Sequence, residues 1–329
     1  MPDARPLLWT DVPLHSGAWT LLREQVQLSG PTVPSDLASP TPFTFADADA
    51  AIVGVRRSYD AAAFARAPRL KVIARTGIGY DNVDAEAAAA VGVCAVNTPE
   101  APTESTAEFA IALMFAVARR IPAADHNSKA GEWKLEPSVM GFDLAEKSLG
   151  LVGFGRIARR VAEIARAIRM RVHAFDPLLP ATQIADHGVT PCVTLNELLP
   201  HAQILSLHAP LIAATRRLIG PDQLALLPRG AIVINTARGP LLDESAVLDA
   251  LTTGQLAGAG IDVWTIEPTA SDNPLFRHPR VVATPHMAAY TEEGRYRSHV
   301  SAARQVLAVL DGILPSNLII PTVWESRRR

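Results

Sequence analysis

From Ala50 onward the chain alternates short apolar runs with alanine-rich or amphipathic stretches. The runs 51–55, 71–74, 93–96, 148–152, 171–175, 204–208, 231–235, 260–263 and 281–283 predict strands. Helical spacing marks 156–168, 196–199 and 244–252. Such alternation is the mark of βαβ units, so the chain reads as α/β with parallel sheets. The rhythm occurs twice, before residue 100 and after residue 147, which predicts two doubly wound domains. Prolines 31, 34, 40 and 42 make 29–44 a loop. Between the two halves, 103–120 predicts a helix. Thr103 or Ser105 would cap it, Glu104 opens it, Arg119 and Arg120 close it, and Pro122 stops it. Phe109, Ile111, Leu113, Met114, Phe115 and Val117 leave that helix almost no polar face, so it must be buried on most sides, in a core or at an interface.

Composition narrows the function. The 329 residues suit two domains better than one, and 48% hydrophobic with 19% charged residues is globular. Lysine plus arginine number 31 against 33 acids, a formal charge of −2, so no cationic excess exists to neutralise a nucleic acid. The two cysteines, Cys94 and Cys192, form no ligand or disulfide pattern, so neither a metal site nor a disulfide framework is expected. The first 19 residues lack the apolar core of a signal peptide. The longest apolar runs, such as 109–118, fall well short of the ~20 residues that span a bilayer. The expectation is a cytoplasmic protein.

The chemistry starts at Gly153-Phe154-Gly155-Arg156-Ile157-Ala158, between the predicted strand 148–152 and the helix that follows. This is the dinucleotide fingerprint GxGxxG with alanine in third place. The first glycine makes the tight turn, the second admits a pyrophosphate to the helix N-terminus, and the third small residue lets helix and strand pack. The next strand ends in Asp176, 18 residues beyond Ala158, where an acid accepts the adenosine ribose hydroxyls. That carboxylate would repel the 2′-phosphate of NADP, and Pro177-Leu178-Leu179 supplies no compensating cation, so NAD is the expected cofactor.

Three charged side chains lie just past predicted strands of the same half: Arg238 in Asn235-Thr236-Ala237-Arg238-Gly239, Glu267 in 262–268, and His286 in Thr284-Pro285-His286. Open parallel sheets bind ligands beyond the carboxyl ends of their strands. Singly, a loop arginine is usually solvated and a lone histidine usually structural. Three together at one sheet edge point to a site.

With these motifs the chain resembles the D-isomer-specific 2-hydroxyacid dehydrogenases from about residue 50 to residue 317. The likeness is carried by Arg75-Thr76-Gly77-Ile78-Gly79-Tyr80-Asp81-Asn82-Val83-Asp84 and the 153–158 fingerprint. It is carried further by His208-Ala209-Pro210-Leu211 with Thr215, and by 235–239, 262–268 and 284–289. It implies that Arg238 binds the substrate carboxylate and carbonyl, that His286 is the acid/base, and that Glu267 is its partner. Arg75 and the N–H groups of Gly77, Ile78 and Gly79 would face the substrate, and Asp262 would contact the nicotinamide amide. Thr236 and Ala237 would line the nicotinamide. The rest of the cofactor falls to Gly153, Gly155, Arg156, Ile157, Asp176, His208, Ala209, Pro210 and Thr215, with Arg238 and His286 also near it. The implied architecture is a Rossmann-type cofactor domain over 101–290. Beside it stands a discontinuous flavodoxin-like substrate domain over 1–100 and 291–329, with the active site in the cleft and a homodimer as the default assembly. The substrate would be a small 2-oxo or 2-hydroxy acid such as glyoxylate, hydroxypyruvate or a phosphoglycerate-like acid. Formate or phosphite oxidation fits less well, because Glu267 beside His286 suits alcohol/ketone chemistry. The alternative is an NAD(H)-sensing, corepressor-like binding protein on the same fold. Two departures from the family pattern are Ala158 for the third glycine and Glu146 where the family often has glycine.

Overall fold

The computed structural model describes residues 4–133 and 137–328. The chain divides into two units, Met1–Pro102 with Tyr290–Arg329, and Thr103–Ala289. Each is built on one parallel sheet.

The first unit holds β1 (Leu7–Thr10), β2 (Gln27–Ser29), β3 (Ala50–Val53), β4 (Val72–Arg75) and β5 (Cys94–Val96), in the order β2-β1-β3-β4-β5. That is the flavodoxin-like order. Along β3, Ala50 and Ile52 enter one core while Ala51 and Val53 enter the other, the two-residue period of a strand covered on both faces. The helix Glu292–Leu310 contributes Ala302, Ala303 and Val306 to the first of these cores. Thr291 caps its start through a hydrogen bond from the Gly294 N–H.

The second unit holds β6 (Ser148–Val152), β7 (Arg171–Phe175), β8 (Thr190–Pro191), β9 (Ile204–Leu207), β10 (Ala231–Asn235), β11 (Leu256–Ile261) and β12 (Val281–Ala283). Their order, β12-β11-β10-β9-β6-β7-β8, reverses direction between β6 and β9, the arrangement that opens a binding crevice at the carboxyl ends of those two strands. Both faces are again apolar: Ile232 and Ile234 of β10 point into one core, Ala231 and Val233 into the other.

The α/β expectation holds, with instructive differences. The sequence pattern passes over β1, β2 and β8, which are four, three and two residues long. Pro191 is tolerated because β8 lies at the sheet edge. The expected strand 260–263 is instead β11, four residues earlier, where Gly258 and Gly260 dilute the hydrophobic signal. The expected strand 51–55 stops at Val53, because the Gly54 N–H turns to the Asp11 carboxylate at 2.8 Å.

The junction helix runs Thr103–Ala118 and is an ordinary layer of the second unit, with Leu113, Met114 and Val117 packed in the core that holds Ile232 and Ile234. The Thr103 hydroxyl is buried without a hydrogen-bond partner among the described residues, so it is not the expected cap. Pro122 does not terminate helical structure either. Arg120 breaks the chain at φ 54°, and Pro122 sits in the first turn of a second helix, Ile121–Lys129, where its missing N–H costs nothing. Glu146 adopts φ 64°, a left-handed conformation that glycine takes without strain.

Candidate active site

The carboxyl edge of the second unit's sheet gathers two groups of side chains. The first lies at the β6/β9 reversal. Gly153 holds φ +86°, and a Cβ on it would stand 2.9–3.0 Å from Ala209 N and the His208 carbonyl, so only glycine lets the loops after β6 and β9 touch. The helix Arg156–Ala167 then starts at Gly155 with no side chain capping it, and the space beside Gly155 is open. Uncapped N–H groups at a helix start, with room in front of them, suit a pyrophosphate. Ala158 is fully buried and does the third glycine's packing.

Asp176, at the end of β7, accepts the Phe154 N–H through Oδ2 at 2.8 Å and the Leu178 N–H through Oδ1 at 2.9 Å. The carboxylate is thereby fixed against the glycine loop, with lone pairs left for two hydroxyls. Arg171 hydrogen-bonds the Glu146 carbonyl at the amino end of the same strand, far from Asp176.

Other expected cofactor contacts are engaged with their own loops. The His208 ring pairs with the Ser206 hydroxyl at 2.9 Å, and burial pushes it down to about 4, so it is neutral. The Thr215 hydroxyl donates to the Pro210 carbonyl at 2.6 Å and accepts the Ile212 N–H at 2.9 Å, closing the loop that carries Ala209 and Pro210. Thr236 differs. Its hydroxyl is buried at the end of β10 with no partner among the described residues, an orphaned polar atom of the kind a bound cofactor satisfies.

The second group holds the charged residues. Asn235, fully buried, accepts the Ala237 N–H at 3.0 Å and donates to the Arg238 carbonyl at 2.8 Å, which sets the turn presenting Arg238. Gly239 lies so close to the Trp264 backbone that a Cβ would fall 2.0 Å from its carbonyl carbon. The Arg238 and Glu267 loops are thus held side by side. Glu267 accepts the Trp264 N–H through Oε1 at 2.9 Å and meets His286 Nδ1 through Oε2 at 2.7 Å. Burial opposes its charge, but the His286 hydrogen bond and charge, the Trp264 N–H and the Arg238 guanidinium outweigh it, holding the carboxyl below its usual range. An ionised Glu267 accepts only, so Nδ1 carries the proton and Nε2 is the nitrogen left for a substrate.

Asp262, assigned to the nicotinamide amide by resemblance, is fully buried, and its carboxylate takes the Thr284 hydroxyl and the Met287 and Ala288 N–H groups. Asn235, Trp264 and Thr284 are the positioning residues that sequence reasoning missed. Their only signal was membership of the quoted motifs.

Arg75, Gly77, Ile78 and Gly79 belong to the first unit. Arg75 closes β4 and is nearly buried. The Gly77 N–H is committed to the Thr98 hydroxyl at 2.7 Å, so it is not offered to a ligand as expected. Asn97 holds the Ile78 carbonyl at 2.7 Å, which orients the loop.

A Rossmann-type sheet with a dinucleotide cradle and an Arg/Glu/His cluster at one edge defines a dinucleotide-dependent α/β enzyme class. Residues 111–288 match the family model for the D-isomer specific 2-hydroxyacid dehydrogenase NAD binding domain. The glyoxylate reductase of Korarchaeum cryptofilum is 39% identical over 284 residues, covering 85% of each chain. The D-3-phosphoglycerate dehydrogenase of Methanocaldococcus jannaschii is 38% identical over 315 residues, 95% of this chain but 59% of that longer protein. A crystal structure from Thermus thermophilus superposes with a TM-score of 0.83 at 36% identity, covering 95% of this chain and 99% of that one. The chain belongs to the D-isomer specific 2-hydroxyacid dehydrogenase family of NAD-dependent oxidoreductases.

Proposed function

We propose that the chain catalyses the reversible, NAD-dependent reduction of a small 2-oxo acid to the D-2-hydroxy acid. The observation that carries the reading is the 2.7 Å Glu267–His286 pair beside Arg238, on the sheet edge that also holds the dinucleotide cradle. Gly153, Gly155, the helix start at Arg156 and Ile157, Asp176 and Thr236 would hold the cofactor, which supplies the hydride that no side chain can give. Arg238, always cationic, grips the substrate carboxylate and draws charge onto the carbonyl oxygen. Protonated His286 gives its Nε2 proton to that oxygen, and Glu267 holds the ring's orientation and charge. In oxidation the neutral ring takes the proton back.

Asp176 supports NAD over NADP, since its carboxylate, fixed against the glycine loop, would accept ribose hydroxyls and repel a 2′-phosphate. The relatives' names support glyoxylate or phosphoglycerate-like acids as substrates. No observation favours the sensing alternative. A homodimer is supported by the exposed apolar side chains Ile121, Trp133 and Met140 that follow the junction helix. Among the described residues no helix is long and apolar enough to cross a membrane, and a cytoplasmic location remains part of this proposal. The test is NADH oxidation against glyoxylate, hydroxypyruvate, 3-phosphohydroxypyruvate and pyruvate. Turnover with at least one supports the reading, and none with any of them refutes it.

A further inference from the structure

We infer that Ser298 and Gln305 are positioning residues that, through Thr98 and Asn97, aim the Ile78 and Gly79 N–H groups at the substrate carboxylate; this rests on the 2-oxo acid reading of the site. All six residues belong to the first unit. Ser298 and Gln305 stand two turns apart on one face of the helix Glu292–Leu310. They are 8% and 4% exposed, on a helix whose Ala302, Ala303 and Val306 are core. Polar side chains are tolerated there only with their hydrogen bonds made. Each holds a residue just past β5. The Ser298 and Thr98 hydroxyls are hydrogen-bonded at 2.9 Å. Gln305 Nε2 donates to the Asn97 carbonyl at 2.8 Å, and its Oε1 accepts the Asn317 N–H at 2.9 Å.

Asn97 and Thr98 in turn pin the loop after β4 at three points. The Gly77 N–H donates to Thr98 Oγ1 at 2.7 Å, the Thr98 N–H donates to the Gly77 carbonyl at 3.0 Å, and Asn97 Nδ2 donates to the Ile78 carbonyl at 2.7 Å. In a planar trans peptide unit the carbonyl and the N–H point in opposite directions. With the Gly77 and Ile78 carbonyls drawn toward the end of β5, the N–H groups of Ile78 and Gly79 are turned the other way. Among the described residues neither has a hydrogen-bond partner. Two adjacent unpaired N–H groups on one braced loop suit a single carboxylate.

Ser298→Ala takes the brace from Thr98, and Gln305→Met removes the donor to Asn97. Each is expected to raise KM for the 2-oxo acid about fivefold, the worth of one net hydrogen bond, with KM for NADH changed less than about twofold. Oxamate, an unreactive mimic of a 2-oxo acid, should bind the enzyme–NADH complex more weakly by the same factor, read by nicotinamide fluorescence. Thr98→Val, which keeps the volume and loses the hydroxyl, should raise KM and the oxamate Kd by about tenfold, and Thr98→Ser should leave both near their original values. If Ser298 acts through Thr98, adding Ser298→Ala to Thr98→Val changes KM by less than about twofold, because the group it braces is already gone. Ser298→Ala serves alone if Thr98→Val or Gln305→Met fails to fold. Unchanged KM and oxamate affinity with only a lowered melting temperature would overturn the inference, as would multiplying losses in the double variant. An unmodified chain that neither reduces 2-oxo acids nor binds oxamate would instead overturn the reading on which it rests.

Discussion

Removing the charge of Glu267 while keeping its hydrogen-bonding shape isolates what that charge does for His286. In Glu267→Gln the 2.7 Å contact to Nδ1 is retained through the amide oxygen, but the imidazolium loses its counter-charge. Two unit charges ~4 Å apart at an effective dielectric of ~20 interact by about 4 kcal/mol. The two side chains are 29% and 33% exposed, so solvent screens the pair. Screening at that exposure leaves roughly 1 kcal/mol, about a fivefold factor. The sign follows from the chemistry. The ring that serves reduction is a cation until it gives up its proton, and the Glu267 charge stabilises that cation. kcat for reduction should therefore fall about fivefold in Glu267→Gln, with KM for NADH unchanged. The assay is steady-state kcat for reduction at fixed neutral pH, with deuterated NADH confirming that the hydride step limits the rate. An unchanged kcat in Glu267→Gln would refute the pairing as the support of the proton donor.

Arg238→Lys keeps the charge but loses the two-pronged grip, so KM for the 2-oxo acid should rise and kcat fall together, each by about tenfold or more. Steady-state kinetics with glyoxylate checks it, and an unchanged KM places Arg238 outside the substrate site. Asp176→Ala removes the ribose acceptor and the phosphate-repelling charge, so the ratio of kcat/KM for NADH over NADPH should narrow by at least about tenfold. Efficient NADPH use by the unmodified chain would contradict the role given to Asp176. His299, buried and accepting the His15 N–H through Nδ1, is pushed down to about 4 by burial, with help from the Arg295 and His15 charges. The unfolded chain therefore binds its proton first as pH falls, and stability present above pH ~6.5 is lost toward pH ~4, by up to about 3 kcal/mol. His299→Asn keeps an acceptor and cannot titrate there. Its melting temperature should fall less between pH 7.5 and pH 5 than that of the unmodified chain.

The fold was readable where the physics is local. β6, β7, β10 and β12 coincide with their apolar runs, because buried parallel strands are near-continuous hydrophobic runs. β11 was blurred by its own glycines, and β1, β2 and β8 are too short to stand out from their loops. At the site, Arg238, Glu267 and His286 were visible because charge directly after an apolar strand is conspicuous. The geometry that organises them was not. The donors to Asp262 lie 22 to 26 residues along the chain, and Glu267 and His286 are 19 apart. No periodicity reports which of several loop residues a buried carboxylate will collect. The same limit explains why the Gly77 N–H, expected to face a ligand, proves to be held by Thr98 from the next strand's end.

The central claim is hydride transfer to C2 of a 2-oxo acid with protonation of its oxygen by the chain itself. The most direct measurement is the product formed from hydroxypyruvate and NADH fully deuterated at C4 of the nicotinamide, read by NMR and chiral chromatography. The account predicts D-glycerate carrying deuterium at C2, formed at a rate that His286→Ala lowers by about 10²–10⁴-fold. L-glycerate, product without deuterium at C2, or a His286→Ala rate equal to wild type would contradict it.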